Sequence, residues 1–254
     1  MHSTYSDGSA SVGRMAASAA EKGLKTIAIT DHMPLPFPTR YAMDRHRMDA
    51  YQADIRAAGQ AHDLTVLAGL EMEYIPRFRG WIRDILDQAP EGGWDMRLVS
   101  IHNIVTDRGN FMINGRQDEF DRTLKTVFKD DIRAFCTHYY ALIREAAATG
   151  WFDAVGHLDV IKKHNRDNCY FDERSDWYGE LIDETLDSLA GHGLKMEINT
   201  NGLNHPAGAF YPSGWIQEKA IKKGIPLILG SDAHSPARQG QYFDRAGSPA
   251  CPAA

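Results

Sequence analysis

The feature that most constrains this chain is a rhythm. Short apolar, β-prone runs recur along it, each separated from the next by a stretch with helical spacing. Thr26-Ile-Ala-Ile-Thr30, Thr65-Val-Leu-Ala-Gly69, Leu98-Val-Ser-Ile101, Ala154-Val155, Lys195-Met-Glu-Ile198 and Pro226-Leu-Ile-Leu229 read as strands. Ser11 to Lys22, stopped by Gly23, reads as a helix, as do Met48 to His62, Ile132 to Thr149 before Gly150, Ser175 to Ala190, and Pro212 to Lys223. Strands that alternate with helices imply a parallel sheet. A length of 254 residues suits one large α/β domain or two small ones.

The strand ends carry the chemistry. They read Thr30-Asp31-His32, Gly69-Leu70-Glu71, Ser100-Ile101-His102, Gly156-His157-Leu158-Asp159, Glu197-Ile198-Asn199 and Gly230-Ser231-Asp232-Ala233-His234. In a parallel barrel all C-terminal strand ends share one rim, where active sites form. One histidine at a strand end is ordinarily a hydrogen-bonded structural residue, and one acid a loop cap. Here five of six strands place a histidine or a carboxylate at the same point of the repeat, which separates a shared site from coincidence. Imidazoles with carboxylates suit Zn, Mn or Fe, and carboxylates that bridge two cations belong to hydrolytic phosphate chemistry. His46, His62, His164 and His192 fall outside these positions and read as surface or structural, and His138 as a packing residue.

Composition removes other classes. A net charge of −6 argues against a broad nucleic-acid footprint. Three scattered cysteines with no CxxC pair suggest neither a disulfide framework nor a zinc ribbon. No apolar run is long enough to span a bilayer. The expected setting is cytoplasmic, without nucleic-acid or membrane partners.

Taken in order, these motifs resemble the polymerase-and-histidinol-phosphatase (PHP) superfamily. His2-Ser-Thr-Tyr-Ser-Asp7-Gly8 matches the second half of its opening motif, and the strand ends at His32, Glu71, His102, His157 and Asp232-Ala-His234 match the later ones. Met48 to Tyr74 and Glu197-Ile-Asn-Thr200 are similar to the histidinol-phosphatase branch. The resemblance implies a distorted seven-stranded (β/α) barrel, TIM-like, as one domain over 1–254. It implies three divalent metals held by His2, Asp7, His32, Glu71, His102, His157, Asp232 and His234. Met1 stands at the middle of the His-x-His motif, so the first strand is expected ahead of it. The closing helix is also expected to be missing, with 247–254 a disordered tail.

The implied reaction is hydrolysis of L-histidinol phosphate to L-histidinol and phosphate, in histidine biosynthesis. Clustered cations neutralise an anionic phosphomonoester and lower the pKa of a bound water. Glu71 would bridge, and Asp232 or His234 would protonate the leaving alkoxide. Lys162, Lys163, Asn199 and Arg238 are expected near the rim as phosphate or substrate contacts, set against solvated surface groups. Glu73 reads either as a partner for the amino group of histidinol or as a surface acid. Where many histidinol phosphatases carry an arginine, this chain has Asn204 and His205. The rivals are a PHP phosphoesterase of other substrate, a metal-dependent amidohydrolase, and an inactive metal-binding remnant. The amidohydrolase reading needs a bridging lysine where Glu71 stands.

Overall fold

The computed structural model describes residues 1–246; the tail expected over 247–254 lies outside the described residues. All six runs read as strands form strands of one parallel sheet. In chain order the strands are β1 (Thr26–Ile29), β2 (Thr65–Glu73), β3 (Met96–Ser100), β4 (Asn103–Thr106), β5 (Gly109–Met112), β6 (Ala154–Val155), β7 (Lys195–Asn199) and β8 (Leu227–Gly230). The sheet runs β1-β2-β3-β6-β7-β8, while β4 and β5 form a separate antiparallel hairpin that follows His102.

β2 is longer than its apolar run suggests, and the extra length sets the curvature. Thr65 to Ala68 pair with β1, whereas Gly69 to Glu73 pair with β3. That stagger tilts the strands, as closing a sheet requires. Gly69 sits at the crossover: a Cβ there would lie 2.7 Å from the Met96 carbonyl oxygen and 2.8 Å from Thr30 Cγ2. Only glycine lets the three strands approach so closely.

The two sheet edges nearly meet. The Thr30 N–H donates to the Met1 carbonyl at 2.9 Å, and the His2 N–H donates to the Ala233 carbonyl at 2.9 Å. Met1 and His2 therefore lie between β1 and β8, bonded to the β1 end on one side and to the segment after β8 on the other. Below them is a slot of about 250 Å³ between the edges, lined by Thr26, Ala28, Leu67, Leu98, Glu197 and Leu229 among others. The architecture is thus a curled six-stranded parallel sheet of the barrel type.

The helices are α1 (Val12–Glu21), α2 (Met48–Ala61), α3 (Arg79–Leu86), α4 (Gln117–Phe128), α5 (Ile132–Ala147), α6 (Asp176–Gly191) and α7 (Gly214–Lys222). In α1, Ser11 accepts the Arg14 N–H as N-cap, and Val12, Met15, Ala16 and Ala19 bury one face at helical spacing. α2 does more than cover the sheet. Its Tyr51 hydroxyl lies 2.8 Å from the Gly69 carbonyl and 3.0 Å from the Ile29 carbonyl, and accepts the Asp31 N–H at 3.2 Å. One phenol thereby satisfies the backbone where the pairing of β1 with β2 is interrupted, just before it resumes at a His32–Glu71 bridge. Among the described residues no helix is long and apolar enough to cross a membrane.

Candidate metal centre

The eight side chains singled out at the strand ends and in the first turn come together on one rim. Glu71 stands at the centre. Its Oε1 is 3.0 Å from His157 Nε2 and 3.2 Å from His102 Nε2. Its Oε2 is 3.3 Å from His2 Nε2 and 3.4 Å from His32 Nδ1. His2 Nε2 also lies 3.2 Å from Asp232 Oδ1. Toward solvent, Asp7 Oδ1 is 3.3 Å from His234 Nε2 and 3.9 Å from His32 Nε2. Donors from β1 through β8 and the N-terminal turn thus surround a single buried carboxylate.

Local structure delivers each group. Asp31, fully buried, accepts the Ser3 N–H and hydroxyl at 2.8 Å each and the Ser6 N–H at 3.0 Å. These bonds pin the turn that carries His2 and Asp7. Gly8 closes that turn, since a Cβ there would fall 2.4 Å from the His2 carbonyl oxygen. His157 and Asp232 adopt positive φ, 22° and 44°. Backbone held in that region by non-glycine residues is costly and concentrates at functional sites. The Glu197 carboxylate accepts the His157 N–H at 2.9 Å and helps hold it there.

The electrostatics follow from burial against charge. Burial alone would raise the Glu71 carboxyl; His32, His102 and the hydrogen bonds from His102 and His157 outweigh it and hold it well below the usual range. Burial opposes a charge on His2, but Asp232 and Glu71 prevail and raise it to about 10. His102 also rises to about 10, with Glu73 and Glu71 overcoming burial. His32 goes the other way, to about 3, because burial wins over the attraction of Glu71.

The donor set fits divalent cations. His102 Nε2 and His157 Nε2 face each other at 3.1 Å across the same Glu71 oxygen, and His2 Nδ1 and His157 Nδ1 are buried without a hydrogen-bond partner. Two groups, His2 with Asp7, His32 and His234, and His32 with Glu71 and His102, each bring their donor atoms within 4.8 Å of one another. Imidazole nitrogens and carboxylate oxygens are the ligands Zn takes, and they serve Mn and Fe as well.

Above the cluster opens a cavity of about 310 Å³, walled by Tyr41, Asn114, Lys163, Asn201, His205 and Tyr211 among others. Of the expected substrate contacts only Lys163 lines it; its Nζ donates to the Asn114 and Gly115 carbonyls at 2.5 and 3.2 Å. Lys162 is a correction. It is fully buried and bonds Asp159 and Ser213 beneath the rim, so it cannot reach a phosphate. Asn199 is another: its Oδ1 caps the Asn201 N–H and its Nδ2 donates to Glu197. Arg238 sits exposed on a short 3₁₀ turn and does not line the cavity. Glu73 is neither a surface acid nor a cavity group; it is buried against His102. Tyr41, Asn114 and Tyr211 escaped the sequence reading because they lie on irregular segments with no strand-end signal.

Three comparisons bear on this arrangement. The family model described as the PHP domain matches residues 1–201. A protein of Deinococcus radiodurans named "Probable histidinol-phosphatase" is 32% identical over 241 residues, which cover 90% of this chain and 82% of that one. A solved candidate histidinol phosphatase of Listeria monocytogenes superposes with a TM-score of 0.85 at 19% identity, over 96% of this chain and 97% of that one. Histidinol phosphate phosphatase of Lactococcus lactis, solved with Zn, L-histidinol and phosphate, gives 0.66 at 20% identity, over 97% and 92%. The solved structures agree in fold, and the sequence matches reach most of the chain that supplies the rim. This chain belongs to the PHP domain family.

Proposed function

We propose that this chain is a metal-dependent phosphomonoesterase that hydrolyses L-histidinol phosphate to L-histidinol and phosphate, a step of histidine biosynthesis. The observation that carries the reading is Glu71, a buried carboxylate with four imidazoles within 3.4 Å, lying under a cavity of small-molecule size. The name of the Deinococcus relative, and the Zn, histidinol and phosphate of the Lactococcus structure, support the same substrate.

His2, Asp7, His32, Glu71, His102, His157, Asp232 and His234 would hold the cations, three in number and drawn from Zn, Mn or Fe. When bound, such cations supply charge neutralisation of the phosphate and an activated water. Glu71 would bridge, since one oxygen is set toward His102 and His157 and the other toward His2 and His32. Of the two candidates for protonating the leaving alkoxide, both are better placed as ligands. His234 Nδ1 faces the Asp232 carbonyl at 2.9 Å, which turns Nε2 toward Asp7, and Asp232 is held ionised, His2 outweighing burial. Lys163, whose ammonium meets only carbonyl oxygens at the cavity wall, takes the phosphate oxygens.

The test is phosphate release from histidinol phosphate, lost with a chelator and restored by Zn or Mn. Glu71→Gln should cost at least as much turnover as any single histidine replacement, because its amide cannot carry the bridging charge. Near-full turnover in that variant refutes the bridge. Much faster cleavage of other monoesters refutes the substrate and leaves the metal centre standing.

A further inference from the structure

We propose that Glu73 is a positioning residue for the metal centre: its carboxylate fixes which ring nitrogen of His102 carries hydrogen, and so which one faces the cation. The proposal rests on the metal-centre reading above. Glu73 lies two residues beyond Glu71 on β2, and residues i and i+2 of a strand project to the same face. Register sets it opposite Ser100, just short of His102.

Its carboxylate is fully committed. Oε1 accepts the main-chain N–H of His102 and of Asn103, each at 2.8 Å. Oε2 lies 2.7 Å from His102 Nδ1. Glu73 is 3% exposed, so no water competes for these bonds. A carboxylate that already accepts two main-chain N–H groups acts as an acceptor toward the ring too, so Nδ1 is the N–H. That leaves Nε2, which faces Glu71 Oε1 and His157, as the nitrogen that would give up its proton and turn a lone pair to a bound cation. A carboxylate behind a ligating imidazole orients the ring and strengthens it as a donor.

His157 provides the contrast inside the same site. Its nearby carboxylate, Glu197, accepts only the His157 main-chain N–H and the Asn199 side-chain amide, and the His157 Nδ1 has no partner. Both of those bonds end on one oxygen, Oε2, which a glutamine amide oxygen can replace. At Glu73 the same swap behaves differently. The amide oxygen of Glu73→Gln can still accept both main-chain N–H groups, but its NH₂ then faces His102 Nδ1 and donates to it. The ring hydrogen is forced to Nε2, on the side where the cation would bind.

The experiment measures Zn affinity by competition with a chromogenic chelator, on wild type, Glu73→Gln and Glu197→Gln, with circular dichroism as the folding check. Glu73→Gln should weaken the affected site about 10–100-fold, and Glu197→Gln should stay within about threefold of wild type on the same scale. A wild-type chain that binds no zinc overturns the metal-centre reading and this proposal with it. Wild-type binding with Glu73→Gln unchanged, or equal losses in both variants, overturns this proposal alone. If Glu73→Gln does not fold, imidazole ¹⁵N spectra of the zinc-loaded wild type decide: a proton on His102 Nδ1 supports the proposal, and zinc on Nδ1 refutes it.

Discussion

Replacing Lys162 with methionine separates two roles that its sequence position could not. The Lys162 ammonium lies 2.9 Å from Asp159 Oδ2 and 3.8 Å from Glu173 Oε2, and it bonds the Ser213 hydroxyl. Lys162 and Asp159 are both fully buried, and the ammonium lies 5.6 Å from the centre of the Tyr211 ring. Burial already pushes the Asp159 carboxyl above its ordinary range, with Lys162 pulling against it. Met keeps the apolar stem and removes the charge, which leaves Asp159 with the Ser213 N–H at 3.0 Å as its remaining donor. Breaking a buried pair from one side costs about 3–5 kcal/mol, so the thermal midpoint should fall by roughly 6–20 °C for a chain of this size. The double variant Lys162→Met/Asp159→Asn should recover part of that loss, since a neutral amide needs no counter-ion. Thermal and urea melts of the metal-free protein give the stability, and KM for phosphate release is measured well below the midpoint. A midpoint within about 2 °C of wild type, with KM raised about tenfold, would refute the buried-pair reasoning and restore Lys162 as a phosphate contact.

Asp31→Asn should loosen the turn at residues 3–8, because an amide cannot accept on both atoms where Ser3 and Ser6 donate. We expect faster proteolysis near the N-terminus and weaker zinc binding by about tenfold, with the rest of the fold protected. At Asp153, burial favours the neutral acid, but the two-pronged bond from Arg97 outweighs it and holds the carboxyl below its usual value. A depressed folded-state pKa gives stability that is present above about pH 4 and lost as pH falls through the folded value. Arg97→Leu should therefore lower the urea midpoint at pH 7 and show a smaller further fall on acidification; parallel acid limbs for the two proteins would count against it.

The strand ends were legible because one chemistry recurs at one point of the repeat, which an isolated histidine could not have signalled. Lys162 and Lys163 show where such reading stops. They follow the same strand, but residues 160–162 form a 3₁₀ turn, where each step rotates the side chain by roughly 120°. One lysine is turned into the core and its neighbour to the cavity, and nothing in the pair Lys-Lys says which. Glu73 was misread for a different reason. The apolar run stops at Gly69, yet β2 continues to Glu73 by pairing with β3 instead of β1, and a change of partner leaves no mark in composition. The β4–β5 hairpin and α3 are short, so neither period has room to stand out.

Met1 and His2, bonded to both edges of the sheet, have a consequence for synthesis on the ribosome. His2 emerges well before its neighbours in the cluster, Asp232 and His234, which follow far along the chain. A nascent chain that has emerged only through Leu229 carries six of the eight donors with no partner for the His2 main-chain amide. Until Asp232 and His234 have emerged, the other imidazoles and carboxylates lack these two partners, so the complete set of donors forms only when two segments far apart in the chain find each other.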